Sequence, residues 1–225
     1  MCGRYSLALS KVKLEEALKV KLSQEIQPNY NIAPTNLSHV ITDQYPKHIQ
    51  MFHWGLIPHW SNDGKLTGKL INARSESISS KPSFRIPIRK KRCLVLADSF
   101  YEWKPYGRTK LPYRITMRDD ELMIMAGIWD VWQQGNLVIN SFSILTTQPN
   151  KEMELIHNRM PVIFSNNEDW EKWLSDIPLE EVLAMLHPAE DNLLRIYRVS
   201  EKLNSVRANS PDLHHEVLAP PTLFD

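Results

Sequence analysis

Apolar and polar positions alternate in short runs over most of this chain, and only three stretches carry helical spacing. Leu14, Ala17, Leu18 and Leu22 recur at the intervals of one helix face, with Lys and Glu between them and Ser10 ahead as a cap. That spacing predicts a surface helix over residues 11–23. Trp170 and Trp173 mark a second helix over 165–174, and 178–186 reads as a third. The remaining runs are β-branched or aromatic and short: 4–9, 37–42, 48–54, 93–103, 112–117, 122–128, 137–146 and 193–199 each read as strands. Residues 28–34, bounded by Pro28 and Pro34, are extended and turn-rich. Asp119-Asp120 and residues 133–136 supply turns between neighbouring strands. One early helix, many strands and two late helices predict an α+β fold on a largely antiparallel sheet or barrel. From Ala208 the chain becomes proline-rich, and a loosely held tail is expected over 208–225.

Composition narrows this picture. A chain of 225 residues suits one large domain with a substantial core. No apolar run approaches the roughly 18 residues of a membrane span, and residues 1–9 lack the layout of a signal peptide. Cys2 and Cys93 are the only cysteines, which argues against a disulfide framework and fits a reducing, cytoplasmic setting. The formal net charge of +1 means that any nucleic-acid contact must come from a local patch. There is no internal repeat and no Gly/Ser linker.

The chemistry begins at Met1-Cys2-Gly3-Arg4-Tyr5. Removal of an initiator Met before a small residue leaves Cys2 with an α-amine and a thiol on adjacent carbons. Such a 1,2-aminothiol condenses with an aldehyde to a Schiff base, and the thiol then closes a five-membered thiazolidine at a high effective concentration. Phe52-His53-Trp54-Gly55-Leu56-Ile57-Pro58-His59-Trp60 offers aromatic rings that either stack on bases or plug a core. His53 and His59 have no Cys or acidic partners at ligand spacing, so no metal is expected. Asn72 and Arg74 share one face of an extended segment, an amide and a guanidinium suited to orienting an amine and holding a phosphate. Arg85 and the run Arg89-Lys90-Lys91-Arg92 form the one basic cluster, either a solvated face or a nucleic-acid contact. Asp98-Ser99-Phe100-Tyr101-Glu102-Trp103 sets Glu102 among aromatic side chains, either as a general acid–base or as a structural carboxylate. Ile156-His157-Asn158-Arg159-Met160-Pro161 adds His157, a proton carrier near neutral pH, and Arg159.

These stretches together resemble the SOS-response-associated peptidase (SRAP) family of abasic-site-processing proteins. The match includes Asn29-Tyr30-Asn31-Ile32-Ala33-Pro34, Trp54-Gly55-Leu56-Ile57-Pro58, Asn72-Ala73-Arg74-Ser75-Glu76, Arg92-Cys93-Leu94 and Phe100-Tyr101-Glu102-Trp103. With the N-terminal block, Ala126-Gly127-Ile128-Trp129 and His157-Asn158-Arg159-Met160-Pro161, eight blocks keep the family's order over roughly residues 1–200. The resemblance implies a single α+β domain over 1–207, built on a bent, largely antiparallel barrel-like sheet with peripheral helices. It implies that Cys2 bonds covalently to the ring-opened abasic sugar in single-stranded DNA, with Asn72, Glu102 and His157 around it. Arg4, Arg74 and Arg159 are then expected to hold phosphates, and Trp54 and Trp103 to lie near the bases. The expected partner is single-stranded DNA containing abasic sites; a monomer without cofactor or metal, off the membrane and with the nucleoid in a bacterium, completes the reading. Two rival readings are a cysteine peptidase using Cys2 and His157, including self-removal of Met1, and a non-covalent DNA-binding module. Ser99 stands where the family usually has Gly and Leu96 where it often has Pro, both in what is expected to be a loop leading to Glu102.

Overall fold

The described residues of the computed structural model, 2–22, 25–66 and 68–218, hold thirteen strands; nine arise from the eight runs read as strands, while those at 29–32, 72–74, 160–161 and 163–164 were not expected. In chain order these are β1 (Tyr5–Leu7), α1 (Lys11–Leu18), β2 (Asn29–Ile32), β3 (Leu37–Thr42), β4 (Tyr45–Trp54) and β5 (Asn72–Arg74). There follow α2 (Pro87–Lys90), β6 (Arg92–Ala97), β7 (Ser99–Tyr106), β8 (Thr109–Met117), β9 (Met123–Gln134) and β10 (Leu137–Thr147). The chain continues through α3 (Lys151–Glu154), β11 (Met160–Pro161), β12 (Ile163–Phe164), α4 (Asn167–Leu174), α5 (Leu179–Ala184) and β13 (Leu194–Arg198).

Strands β4, β3, β6, β9 and β10 pair in that order, and β10 returns to β4, so five strands close into a barrel. Closure removes the sheet edges that would otherwise stay unpaired. The ring is antiparallel except where Ser141 and Phe142 of β10 run parallel to His53 and Trp54 of β4. β5 and β11 extend it from β10, and β12 from β9. The second sheet is antiparallel throughout, in the order β13-β8-β7-β1-β2. The α+β, largely antiparallel barrel expected from the sequence is therefore the observed fold. Inside the barrel, a Cβ on Gly127 would sit 2.7 Å from Cys93 Sγ and 2.9 Å from Val95 Cγ2. The β6–β9 pair can approach as it does only because that position has no side chain.

The apolar run 93–103, expected as one strand, is two strands in different sheets. The switch is Asp98, buried between them, whose backbone N–H donates to Ser6 O at 2.8 Å. Its carboxylate accepts from the Ser6 hydroxyl, the Ala8 N–H and the Arg114 guanidinium, so the bend is held from three sides. One consequence corrects a second expectation. Ser99 opens β7 and Leu96 lies within β6, so no loop leads to Glu102, which pairs with Tyr113 in a regular ladder.

The first helix starts as expected, with Ser10 Oγ accepting from Lys13 N–H at 3.4 Å, but stops at Leu18 rather than reaching residue 22. Lys19 takes a left-handed conformation (φ 53°), which ends the hydrogen-bond ladder; position 23 lies outside the described residues. The basic cluster is also not one solvated face. Arg92 is buried, donating from its guanidinium to the carbonyls of Trp173, Ile88, Arg89 and Ser175, and Lys91 pairs with Asp130. Nor is the tail loose as far as it is described. Leu213 is fully buried, residues Pro211–His214 form a turn of 3-10 helix, and Val199 bridges to Glu216. Residues 219–225 lie outside the described part. No described helix is long and apolar enough to cross a membrane.

Candidate active site

The ladder between β1 and β7 aligns Tyr5 with Phe100 and Ser6 with Ser99. It continues one step outward, where Tyr101 N–H donates to Arg4 O at 2.9 Å. Extended one step further, that register sets Gly3 opposite Glu102, and Cys2 follows beside it, close enough for the Glu102 carboxylate to act on its thiol. The barrel supplies the other half. Asn72 and Arg74 of β5 lie opposite Ile144 and Thr146 of β10, and Thr146 lies opposite Pro161 of β11 on its other side. One strand therefore brings Asn72 near the 157–161 turn, and the two sheets meet over Cys2.

Cys2 is enclosed, with 0% of its surface exposed. Asn72 Nδ2 donates to the Cys2 carbonyl at 2.8 Å, and the Cys2 thiol points at Arg4 O, 3.7 Å away. Burial, reinforced by the nearby Glu102 carboxylate, pushes the thiol far above its ordinary range. Glu102 is itself buried, and its Oε1 lies 3.9 Å from His157 Nδ1. His157 sits just past α3, where its N–H donates to Met153 O at 2.8 Å, and its Nδ1 accepts from Arg159 N–H at 3.1 Å. The structure thus brings together Cys2, Asn72, Glu102 and His157 from four separate stretches. Asn72 Oδ1 is buried with no hydrogen-bond partner among the described residues. Met1, whose removal the aminothiol requires, lies outside them.

The three arginines surround this centre in different states. Arg74 is exposed. Arg159 pairs with Glu76, holding that carboxyl below the usual range, and also donates to Thr146 O at 2.6 Å. Arg4 donates to Asn31 Oδ1 at 2.6 Å and to Leu203 O at 3.2 Å, with its guanidinium 5.9 Å from the Trp103 ring centre. Trp103 is partly exposed, its indole N–H donating to Asn204 Oδ1 at 2.7 Å.

Trp54 is the site residue whose expected role does not fit its place. It is 0% exposed, edge-on to Tyr5 at 4.9 Å, and its indole N–H donates to Ile71 O at 2.9 Å, so neither ring face is open to a base. It ends a barrel strand, and burial follows from that. Trp60, at 54% exposure, is the open ring of the same stretch. Its position two residues past Pro58, in a turn, was the available signal. Asn31 and Glu76, which hold two of the arginines, were also missed. Among the described residues no group of three or more His, Cys, Asp or Glu side chains could hold a metal.

A closed barrel and a second sheet that meet at the buried Cys2 define an α+β barrel-like protein. The chain belongs to the SOS response associated peptidase (SRAP) family, whose sequence profile matches residues 1–206. It is 39% identical to the abasic site processing protein YoqW of Bacillus subtilis, over 95% of this chain and 98% of that one. It is 31% identical to the abasic site processing protein HMCES of Gallus gallus, over 94% of this chain and 76% of that one. A crystal structure of a protein from Bacteroides thetaiotaomicron superposes with a TM-score of 0.86 at 30% identity, covering 96% of this chain and all of that one.

Proposed function

We propose that this protein is an abasic-site sensor that captures single-stranded DNA and crosslinks Cys2 to the ring-opened sugar, shielding the lesion. The observation that carries this reading is the convergence of Asn72, Glu102 and His157 on the chain's second residue. Names of relatives that refer to abasic site processing support the substrate class.

In this mechanism Glu102 protonates the ring oxygen as the C1′–O4′ bond breaks, and the C1′ hydroxyl gives up its proton to leave the aldehyde. The Cys2 amine, free once Met1 is removed, adds to C1′ and expels one water to form the imine. Asn72 Oδ1, a buried acceptor without a partner among the described residues, is suited to orient that amine. The thiol sulfur then adds to C1′ and its proton passes to nitrogen, closing the thiazolidine. His157 takes or returns a proton at the freed sugar hydroxyl. Arg4, Arg74 and Arg159 hold phosphates, while Trp103 offers its ring to the bases. The proposed setting is a reducing cytoplasm, on the nucleoid in a bacterium, with the protein as a monomer.

A peptidase reading fits less well. A cysteine protease attacks with its thiolate, and the buried Cys2 thiol beside Glu102 is held strongly in its neutral form. The test is retention of protein on a single-stranded abasic oligonucleotide under denaturing conditions, with none on an intact strand. Loss of all retained protein on denaturation would leave a non-covalent binding module.

A further inference from the structure

Arg4 is oriented by a device outside the catalytic cluster. Its Nη1 is committed twice, to Asn31 Oδ1 and to Leu203 O. Asn31, on β2 and buried, spends both protons of its amide on the far side, donating to Ser205 O at 2.9 Å and Ala208 O at 2.7 Å. The next residue of that strap, Asn209, accepts from Tyr30 N–H at 2.8 Å through its side chain. The neighbouring Asn204 holds the Trp103 indole, which lies beside the same guanidinium. Arg4 Nε is buried and has no partner among the described residues, so one edge of the guanidinium is fixed by protein and the other keeps an unused donor. An amide rather than a carboxylate suits this place. It accepts from a cation on one side and donates to two carbonyls on the other, which a carboxylate cannot do.

We infer that Asn31 is a positioning residue for DNA binding: it ties the strap at 203–208 to β2 and so aims Arg4 at a phosphate before the strand arrives. This rests on the reading of Arg4 as a phosphate contact. It extends the binding machinery to Ala208, past residue 206 where the family profile ends. A guanidinium fixed in advance loses less freedom on binding, so the gain appears as affinity.

The test uses an unmodified single strand, an oligothymidylate, titrated over a salt series. The proteins are the parent, Asn31→Ala, Arg4→Ala and the double variant. Asn31→Ala is expected to weaken binding about tenfold and to flatten the salt slope by up to about 0.7 of a unit. In the Arg4→Ala background the same substitution is expected to change neither. Equal weakening with and without Arg4 overturns positioning, because a general loss of structure adds regardless of Arg4. No weakening at all overturns it too. If Arg4→Ala leaves the slope unchanged, the phosphate reading of Arg4 fails and this inference falls with it. A measurement on the parent covers the case in which Asn31→Ala does not fold. Nitrogen-resolved NMR of the Arg4 guanidinium should show separate, slowly rotating Nη groups without DNA, and a single averaged signal overturns the proposal.

Discussion

The side-chain amide of Asn72 holds the backbone carbonyl of Cys2 at 2.8 Å, joining the rim of the barrel to the start of the second sheet. The hydrogen bond fixes the residue that carries the proposed reagent while leaving Asn72 Oδ1 without a partner among the described residues. A buried acceptor in that state costs roughly 1–3 kcal/mol, a cost that an amine N–H at Cys2 would offset.

Asn72→Ala should therefore slow crosslinking at least about tenfold, the worth of one such hydrogen bond. Affinity for an intact single strand should stay at the parental value. A denaturing-gel time course reads the first quantity and a titration the second. Parental crosslinking rates from this variant would reduce Asn72 to a structural tie.

Glu102→Gln keeps the shape of the side chain on β7 and removes its capacity to donate a proton as an acid. Adduct formation should slow roughly 100-fold, the usual contribution of a positioned general acid. By microscopic reversibility, adduct once formed should also persist longer. If the variant forms and releases adduct at parental rates, the carboxylate is structural and His157, 3.9 Å away, becomes the acid.

Arg4, Arg74 and Arg159 should each act alike on every DNA sequence, because phosphates carry no base identity. Substituting any one by Ala should flatten the salt dependence by about 0.7 of a unit on single strands. Unchanged slopes in all three would put the DNA path elsewhere.

His214 gives the protein an acid sensitivity remote from Cys2. Its Nε2 lies 3.2 Å from Ser6 Oγ, against Tyr30 and Tyr101, with Asp98, Arg114 and His215 around it. Burial pushes the imidazole down to about 4; Asp98 opposes this, and Arg114 and His215 add to it. In the unfolded chain it titrates near 6.5. Between those values the unfolded state holds the extra proton, so stability falls as pH drops from about 6.5 towards 4, by at most about 3 kcal/mol. Above pH 7 the effect is absent. The melting temperature of the parent should drop more between pH 7 and pH 5 than that of His214→Gln; parallel curves would contradict the shift.

The parts legible in the sequence were those with a local signature. Alternating runs gave nine of the strands, and Cys2 stood out by its aminothiol chemistry, whereas Asn72, Glu102 and His157 were joined to it as a set only by the family resemblance. What was not legible depends on which sheet a residue joins. Asp98 looks like one polar residue in an apolar run, yet its bonds to Ser6, Ala8 and Arg114 turn the chain from barrel to second sheet. Trp54 and Trp60 are alike in sequence, and only barrel closure decides that one is core and the other open. Arg92 reads as part of a basic run until its carbonyl partners appear.

The central claim is that the N-terminal aminothiol of Cys2 is the reagent, and intact mass tests it most directly. Protein lacking Met1, incubated with a single-stranded abasic oligonucleotide, should give a species equal to protein plus oligonucleotide less one water. Protein with residues retained before Cys2 should give none. Cys2→Ser should yield adduct only when borohydride traps its imine. An adduct of undiminished yield from the N-terminally extended protein would contradict the account.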